Sequence, residues 1–237
     1  MQPTLSEQTQ FYNQYWSKLK SFGSYKVARI VKILQYLAIV CKSRKNPQIL
    51  DLGCGDGRCV AIWNEFGKAT GLDLSDEAMK AAKSRYPFLE FFQGDATATT
   101  FPSETFDVII SQEVIEHIED QPAYIDECHR LLRANGCLIL TMPNKYYFDR
   151  TEKGNYSRQP IEKILLPGEL KQLLVGKFEI IKMESIVFAG ANKGVYRIVT
   201  NSLVVAAFKT LGLEFLRHEF MSRFNLGVHL CVMAIKK

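Results

Sequence analysis

From Gln48 to Met142 the chain alternates short apolar runs with helical patterns. Residues 48–52, 69–74, 89–93, 106–111 and 137–142 each read as a strand bounded by turn residues. Val108, Ile109 and Ile110 are β-branched in succession, which favours extended backbone. A helix follows the first run through about Phe66. Ser75 caps a second that reaches about Arg85, and residues 122–133 form a third with Pro122 in its first turn. Asn135-Gly136 reads as a turn before the fifth strand. Strands alternating with helices predict a parallel sheet covered on both faces.

The flanks read differently. Residues 25–41 place Val27, Ile30, Val31, Leu34, Ala38 and Cys41 at helical spacing, with Lys26, Arg29 and Lys32 on another side. Residues 145–160 are polar, aromatic and basic and read as a long loop. Pro167 opens a helix over 167–175, and residues 178–187 and 227–235 read as strands. Between those strands, Tyr196, Val199, Leu203, Ala207 and Leu211 form one apolar helical stripe, and a short helix passes through Phe215 and His218.

Composition narrows the class. The 237 residues are 47% hydrophobic and 23% charged, enough to bury a core, and are read as one domain over 1–237. Its parts are a helical lid over 1–47, a core over 48–143, and an acceptor-side region over 144–237. The first ten residues lack an apolar signal core. The longest apolar stretch, 195–216, is broken by Arg197, Asn201 and Lys209, so neither a signal peptide nor a transmembrane segment is expected. Six scattered cysteines without a C-x-x-C pair predict free thiols in a cytoplasmic protein.

Charge is segregated. Residues 1–48 hold eight Lys/Arg and one acidic residue, 49–144 hold seven and sixteen, and 145–237 hold fifteen and eight. An acidic centre between basic flanks suggests either an anionic partner or solvated helix faces.

The chemistry starts at Asp51-Leu52-Gly53-Cys54-Gly55-Asp56-Gly57. A glycine-rich turn between a strand and a helix lets a ligand approach the backbone. Arg58 stands where a dinucleotide fingerprint would place its third glycine. Asp51 and Asp56 would repel a pyrophosphate and prefer a ligand carrying positive charge.

Residues 49–57 resemble the first motif of class I S-adenosylmethionine-dependent methyltransferases, in the ubiquinone-pathway O-methyltransferase-like, type 11 group. The resemblance implies a doubly wound, Rossmann-like, seven-stranded, mostly parallel α/β sheet with an antiparallel last strand. N-terminal helices and a helical insertion before the last strand complete it. S-adenosylmethionine would be the cofactor and S-adenosylhomocysteine its product. Asp51, Gly53, Cys54, Gly55 and Gly57 would cradle the donor. Asp73 with Leu74 would meet the ribose, and Gly94, Asp95 and Ala96 the adenine. Ser111 and Gln112 would line the methionine end, and Tyr15, within Phe11-Tyr12-Asn13-Gln14-Tyr15-Trp16, would belong to a lid.

Glu113-Val114-Ile115-Glu116-His117 follows the fourth strand. On a helical turn Glu113, Glu116 and His117 converge, and two roles stay open. His117 is a general base flanked by positioning carboxylates, or the three hold a divalent cation, which is the less favoured reading. The segment is similar to the E-x-x-E-H of ubiquinone-pathway O-methyltransferases and to a motif of small-RNA 2′-O-methyltransferases. The later loop lacks the extra histidine of the RNA enzymes. His129, His218 and His229 have no comparable context. Tyr146, Tyr147, Phe148, Arg150, Tyr156 and Arg158 suit a ring or sugar acceptor, or nucleic acid. The expected activity is O-methylation of a small phenol, lipid or sugar, anionic or apolar. The alternatives are RNA methylation and a non-catalytic cofactor-binding module. The 190–226 insertion could wall a pocket, touch a membrane surface or form a dimer.

Overall fold

Seven strands form the sheet: β1 (Gln48–Leu52), β2 (Lys68–Asp73), β3 (Glu90–Gln93), β4 (Phe106–Gln112), β5 (Leu132–Pro143), β6 (Phe178–Ile186) and β7 (His229–Lys236). Their order is β3-β2-β1-β4-β5-β7-β6. The first five pair in parallel, and β7 runs antiparallel to both β5 and β6. The computed structural model describes residues 2–18, 23–151, 159–189, 191 and 193–237. Strand order reverses between β1 and β4, so a crevice opens at their carboxyl ends.

The helices are α1 (Leu5–Lys18), α2 (Ser24–Val40), α3 (Arg58–Trp63), α4 (Asp76–Arg85), α5 (Gln121–Leu131), α6 (Lys145–Phe148), α7 (Pro167–Leu174), α8 (Tyr196–Val199), α9 (Ser202–Thr210) and α10 (Glu214–Arg223). Alternation along each strand splits the core in two. Ile49, Val108, Ile110 and Ile139 face Ile33 and Leu37 of α2, Val60 and Trp63 of α3, and Met79 of α4. Leu50, Leu52, Ile109, Leu138 and Leu140 face Tyr124 and Leu131 of α5 and Leu170 and Leu174 of α7. The apolar runs are continuous because both faces of the sheet are covered. Ser75 caps α4 by accepting from the Ala78 amide (3.1 Å), and Asp120 caps α5 through Ala123 (3.0 Å).

Four local expectations change. Asn135-Gly136 lies inside β5, with Asn135 at φ 59°. The loop read over 145–160 opens with the turn of α6, because Asn144 accepts from the Tyr146 amide (3.1 Å). The single stripe of 196–211 is two helices, because the Asn201 side chain accepts from the Leu203 amide (2.9 Å) and starts α9 afresh. The basic side of α2 is not a solvated face. Lys26 and Arg29 line a cavity beside the sheet, and Lys32 pairs with Glu184 at 3.1 Å.

All six cysteines are free thiols. Among the described residues, no helix is long and apolar enough to cross a membrane.

Candidate functional site

The loop after β1 is built by backbone bonds across to β2. The Gly53 and Cys54 amides both donate to the Leu72 carbonyl, at 2.7 and 3.0 Å. Gly53 and Gly55 sit at φ +87° and +56°, conformations that side chains disfavour. A Cβ on Gly53 would stand 2.3 Å from Val114, and one on Gly55 would stand 2.2 Å from the Trp16 ring. Glycine thus allows α1 to lie directly on the loop. Asp73 fastens the arrangement: one oxygen accepts from the Gly55 amide (2.8 Å), the other from the Ser75 amide (2.9 Å).

Above this loop lies a cavity of about 560 Å³, within the usual range for small-ligand sites. Asp51, Gly53 and Cys54 form its floor at the end of β1. Asp73, Leu74, Gly94, Asp95 and Ala96 form one wall, Gln112 another, and Tyr15 reaches in from α1. These ten sequence-predicted residues converge. Three predicted residues and one supporting argument do not. Ser111 is fully buried behind the sheet, where Tyr124 donates to it at 2.8 Å. Gly55 lies beneath Trp16, and a Cβ on Gly57 would press on Phe91 and Ala82, so neither faces the cavity. Asp56 is paired with Arg58 (2.7 Å) and Arg85 (3.0 Å) away from the cavity, so it does not bias the charge of a ligand there.

Three carboxyls, Asp51, Asp73 and Asp95, line the cavity at the ends of β1, β2 and β3. Burial pushes the Asp51 carboxyl up to about 7, although the Trp63 indole N–H donates to it at 2.9 Å. Burial also raises Asp73, against its backbone hydrogen bonds. A cation brought beside either group would draw it back to the ionised form. The Asp95 carboxylate accepts from the amide and the hydroxyl of Thr97, both at 2.8 Å, which holds the turn in place. The Gln112 amide nitrogen is buried beside the cavity without a protein acceptor. Three carboxyls, an unsatisfied amide donor and a glycine floor fit a ligand with separated cationic, hydroxyl and carboxylate groups, as S-adenosylmethionine has.

The E-x-x-E-H segment does not converge as a helical reading expects. Glu113 stands outside the turn at φ +58°, and only Ile115–His117 forms a single 3₁₀ turn. The Glu113 carboxylate lies 3.0 Å from His229 Nδ1 and 3.5 Å from Arg29, and accepts from the Thr141 hydroxyl at 3.2 Å. Arg29 donates to His229 Nε2 at 3.2 Å, so the imidazole is held between Arg29 and Glu113. Burial opposes charge on Glu113, yet His229 and Arg29 hold its carboxyl well below the usual range. Glu116 is almost wholly enclosed, and burial followed by repulsion from Glu113 pushes its carboxyl well up. The Glu113 carboxylate is taken up by Arg29, His229 and Thr141, and Glu116 is almost wholly enclosed, so the three side chains do not present one shared set of ligands to a divalent metal.

His117 keeps the feature a base needs. Its Nδ1 lies 2.9 Å from the Ile161 carbonyl, an acceptor only, so Nδ1 carries the proton and Nε2 carries the lone pair. Burial lowers its pKa, favouring the neutral ring. His117 lines the cavity, with Nε2 3.7 Å from Glu116 Oε1.

Several lining residues escaped the sequence reading. Tyr25, Lys26 and Arg29 enter from α2, while Tyr12 enters from α1 within the segment read as a lid. His229, set aside for want of context, meets Glu113 because β7 pairs with β5, placing His229 opposite Pro143. No local signal announces a contact made across strands so far apart in the chain. The spacing of Lys26 and Arg29 on α2 was visible, but not the direction they face. Tyr156 and Arg158, read as acceptor contacts, lie outside the described residues. Tyr146 stacks under the Arg150 guanidinium at 3.6 Å and is not among the cavity residues.

The Glu113 cluster has a measurable consequence. Glu113→Gln is expected to lower stability by about 1–3 kcal/mol near neutral pH, because Arg29 loses its counter-charge in a mostly buried place. Glu113 is depressed in the fold, so its contribution is complete above the unfolded value of about 4.3 and is lost as pH falls toward the folded value. Thermal melts of both proteins across acidic pH should therefore converge at the low end.

A family model described as a methyltransferase domain matches residues 50–140. A probable S-adenosylmethionine-dependent methyltransferase of Mycobacterium tuberculosis is 33% identical over 122 residues, 49% of this chain and 42% of that protein. The match thus spans less than half the length of that relative. A ubiquinone biosynthesis O-methyltransferase of Haemophilus ducreyi is 26% identical over 196 residues, 71% of this chain and 80% of that protein. The crystal structure of the cyclase SpnF superposes with a TM-score of 0.67 at 16% identity, covering 99% of this chain and 97% of that one, and speaks to fold alone. The motif order, the sheet and the family model agree over residues 50–140, which carry a methyltransferase domain.

Proposed function

We propose that the chain transfers the methyl group of S-adenosylmethionine to a hydroxyl of a small acceptor, with His117 as general base. The observation that carries this reading is the tautomer of His117, whose Nδ1–H is taken by the Ile161 carbonyl and whose ring lines the cavity with ten of the predicted donor-binding residues. When bound, the donor supplies a sulfonium methyl that is already electrophilic, so the protein's work is chiefly alignment. In this reading Asp73 has lone pairs left for ribose hydroxyls, Asp95 accepts from the adenine amine, and Leu74 and Ala96 flank the ring. Asp51 answers the cationic end of the donor, and Gln112 Nε2 donates to its carboxylate. His117 Nε2 takes the acceptor's proton as the oxygen gains the methyl group, and later releases it to water. A small acceptor suits a cavity of about 560 Å³ that α1 partly covers.

The test is transfer of labelled methyl from S-adenosylmethionine to a panel of phenols, hydroxylated lipids and sugars. A labelled methyl ether is the expected product. Failure of S-adenosylhomocysteine to bind in a calorimeter would defeat the reading at its base. Salt-dependent RNA binding with methylation of the RNA would replace the small acceptor.

The lid makes a further prediction. Asn13 donates to Asp76 (2.6 Å) and accepts from the Ser75 hydroxyl (2.6 Å), latching α1 to the start of α4. Asn13→Ala is expected to speed donor release by roughly 10-fold, the loss of one or two net hydrogen bonds. Stopped-flow displacement measures it directly, and an unchanged rate would show that the latch does not gate the site.

A further inference from the structure

The helices α8 to α10 reverse the usual distribution of side chains. α10 buries Arg217 and Met221 while Phe215 is 65% and Phe220 45% exposed. α9 buries none of its residues, although it reads Ser-Leu-Val-Val-Ala-Ala-Phe-Lys-Thr. Leu203 is 79% and Leu211 69% exposed, and Leu216 and Phe224 are also bare. Leu216, Phe220 and Phe224 recur every fourth residue and so share one stripe, with the last two rings 4.5 Å apart. A single exposed apolar residue is ordinary, but an array on two consecutive helices marks an interaction surface. The array is not spare core. Met221 packs inward with Tyr147, Tyr196, Leu226 and Val228, so the unit is anchored by its other side.

Charge decides the occupant. Residues 193–224 contain Lys193, Arg197, Lys209, Arg217 and Arg223 against Glu214 and Glu219, a net +3. Arg217 is buried beside Glu214, at 3.4 Å. Lys193, Arg197, Lys209 and Arg223 are exposed. Aromatic and leucine side chains on short helices, with exposed cations among them, match a segment that lies in the lipid interface. A self-complementary dimer face would set these like charges near one another, which an apolar contact between copies disfavours.

We infer that α9 and α10 form a docking surface for an anionic membrane, with Leu203, Leu211, Phe215, Leu216, Phe220 and Phe224 entering the acyl boundary and Lys209 and Arg223 meeting lipid phosphates. The surface stands independently of the methyl-transfer reading, because none of these residues lines the cavity.

Co-sedimentation of the whole chain with vesicles tests it. Vesicles of equal parts phosphatidylglycerol and phosphatidylcholine should retain the protein at low salt, and vesicles of phosphatidylcholine alone should retain far less. Lys209→Glu with Arg223→Glu should lower partitioning by about 25-fold or more, from about five-fold per lost cation. Phe215→Ser with Phe220→Ser should lower it on the order of 100-fold. In each variant an unchanged thermal melt reports that the fold is intact. Three results would overturn the inference: no retention on either vesicle, retention indifferent to lipid charge, or a solution dimer that the phenylalanine substitutions dissociate while vesicles are ignored.

Discussion

Asp73→Ala should cost on the order of 100-fold or more in affinity for S-adenosylhomocysteine, measured by calorimetry. Two losses combine. The carboxylate accepts from the Gly55 and Ser75 amides, at 2.8 and 2.9 Å, in a nearly closed environment. Its removal leaves two buried N–H groups without a partner, at about 1–3 kcal/mol each. Those amides belong to the glycine loop and to the start of α4, so the floor of the cavity loosens where the donor would rest. In the proposed reading the ribose hydroxyls lose their acceptor as well. Asp73→Asn should fall between the unsubstituted and alanine proteins, since its one oxygen can serve only one of the two amides and its NH₂ cannot accept. An affinity that survives the alanine change would show that Asp73 carries neither role.

The second large effect is expected at His117. His117→Ala should lower kcat by about 10²–10⁴-fold while donor affinity stays within about two-fold. The separation follows from position. His117 touches the cavity beside the E-x-x-E-H turn, while the glycine loop and Asp73 sit on the β1–β2 side. The pH profile supplies a sign. A base must be neutral, and burial lowers the His117 pKa, so the rate should fall only as pH drops below the ordinary imidazole value of about 6.5. An acid limb above that value, or an equal loss of kcat and donor affinity in the alanine protein, would remove His117 from the role of base.

These two residues were legible in the sequence to different depths. Asp73 announced itself through place, as the acid closing a second strand 22 residues after Asp51. Its bond to Gly55 was not legible, because that bond spans two loops that only the parallel pairing of β1 with β2 brings side by side. His117 was visible as part of a short titratable cluster. Periodicity assumed a helical turn there, and Glu113 instead takes φ +58°, with its carboxylate held by Arg29, His229 and Thr141. A metal site built on helical convergence fails for that reason. Asp56 shows the opposite error. Its place in the glycine loop suggested a role in ligand charge, and two arginines neutralise it away from the cavity.

What the amino-acid sequence determined by itself is the alternation of strands and helices, the glycine loop and the order of the acidic strand ends. These depend on local backbone preference and on spacing along the chain, and they suffice to point to the fold and the donor. Tertiary structure alone decided which way the basic side of α2 faces and that His229 meets Glu113. It also decided that Trp16 lies on Gly55 and that the phenylalanines of α10 look outward while Arg217 looks in. Each of these depends on which surfaces remain to be covered once the sheet has closed, and no local pattern encodes that remainder.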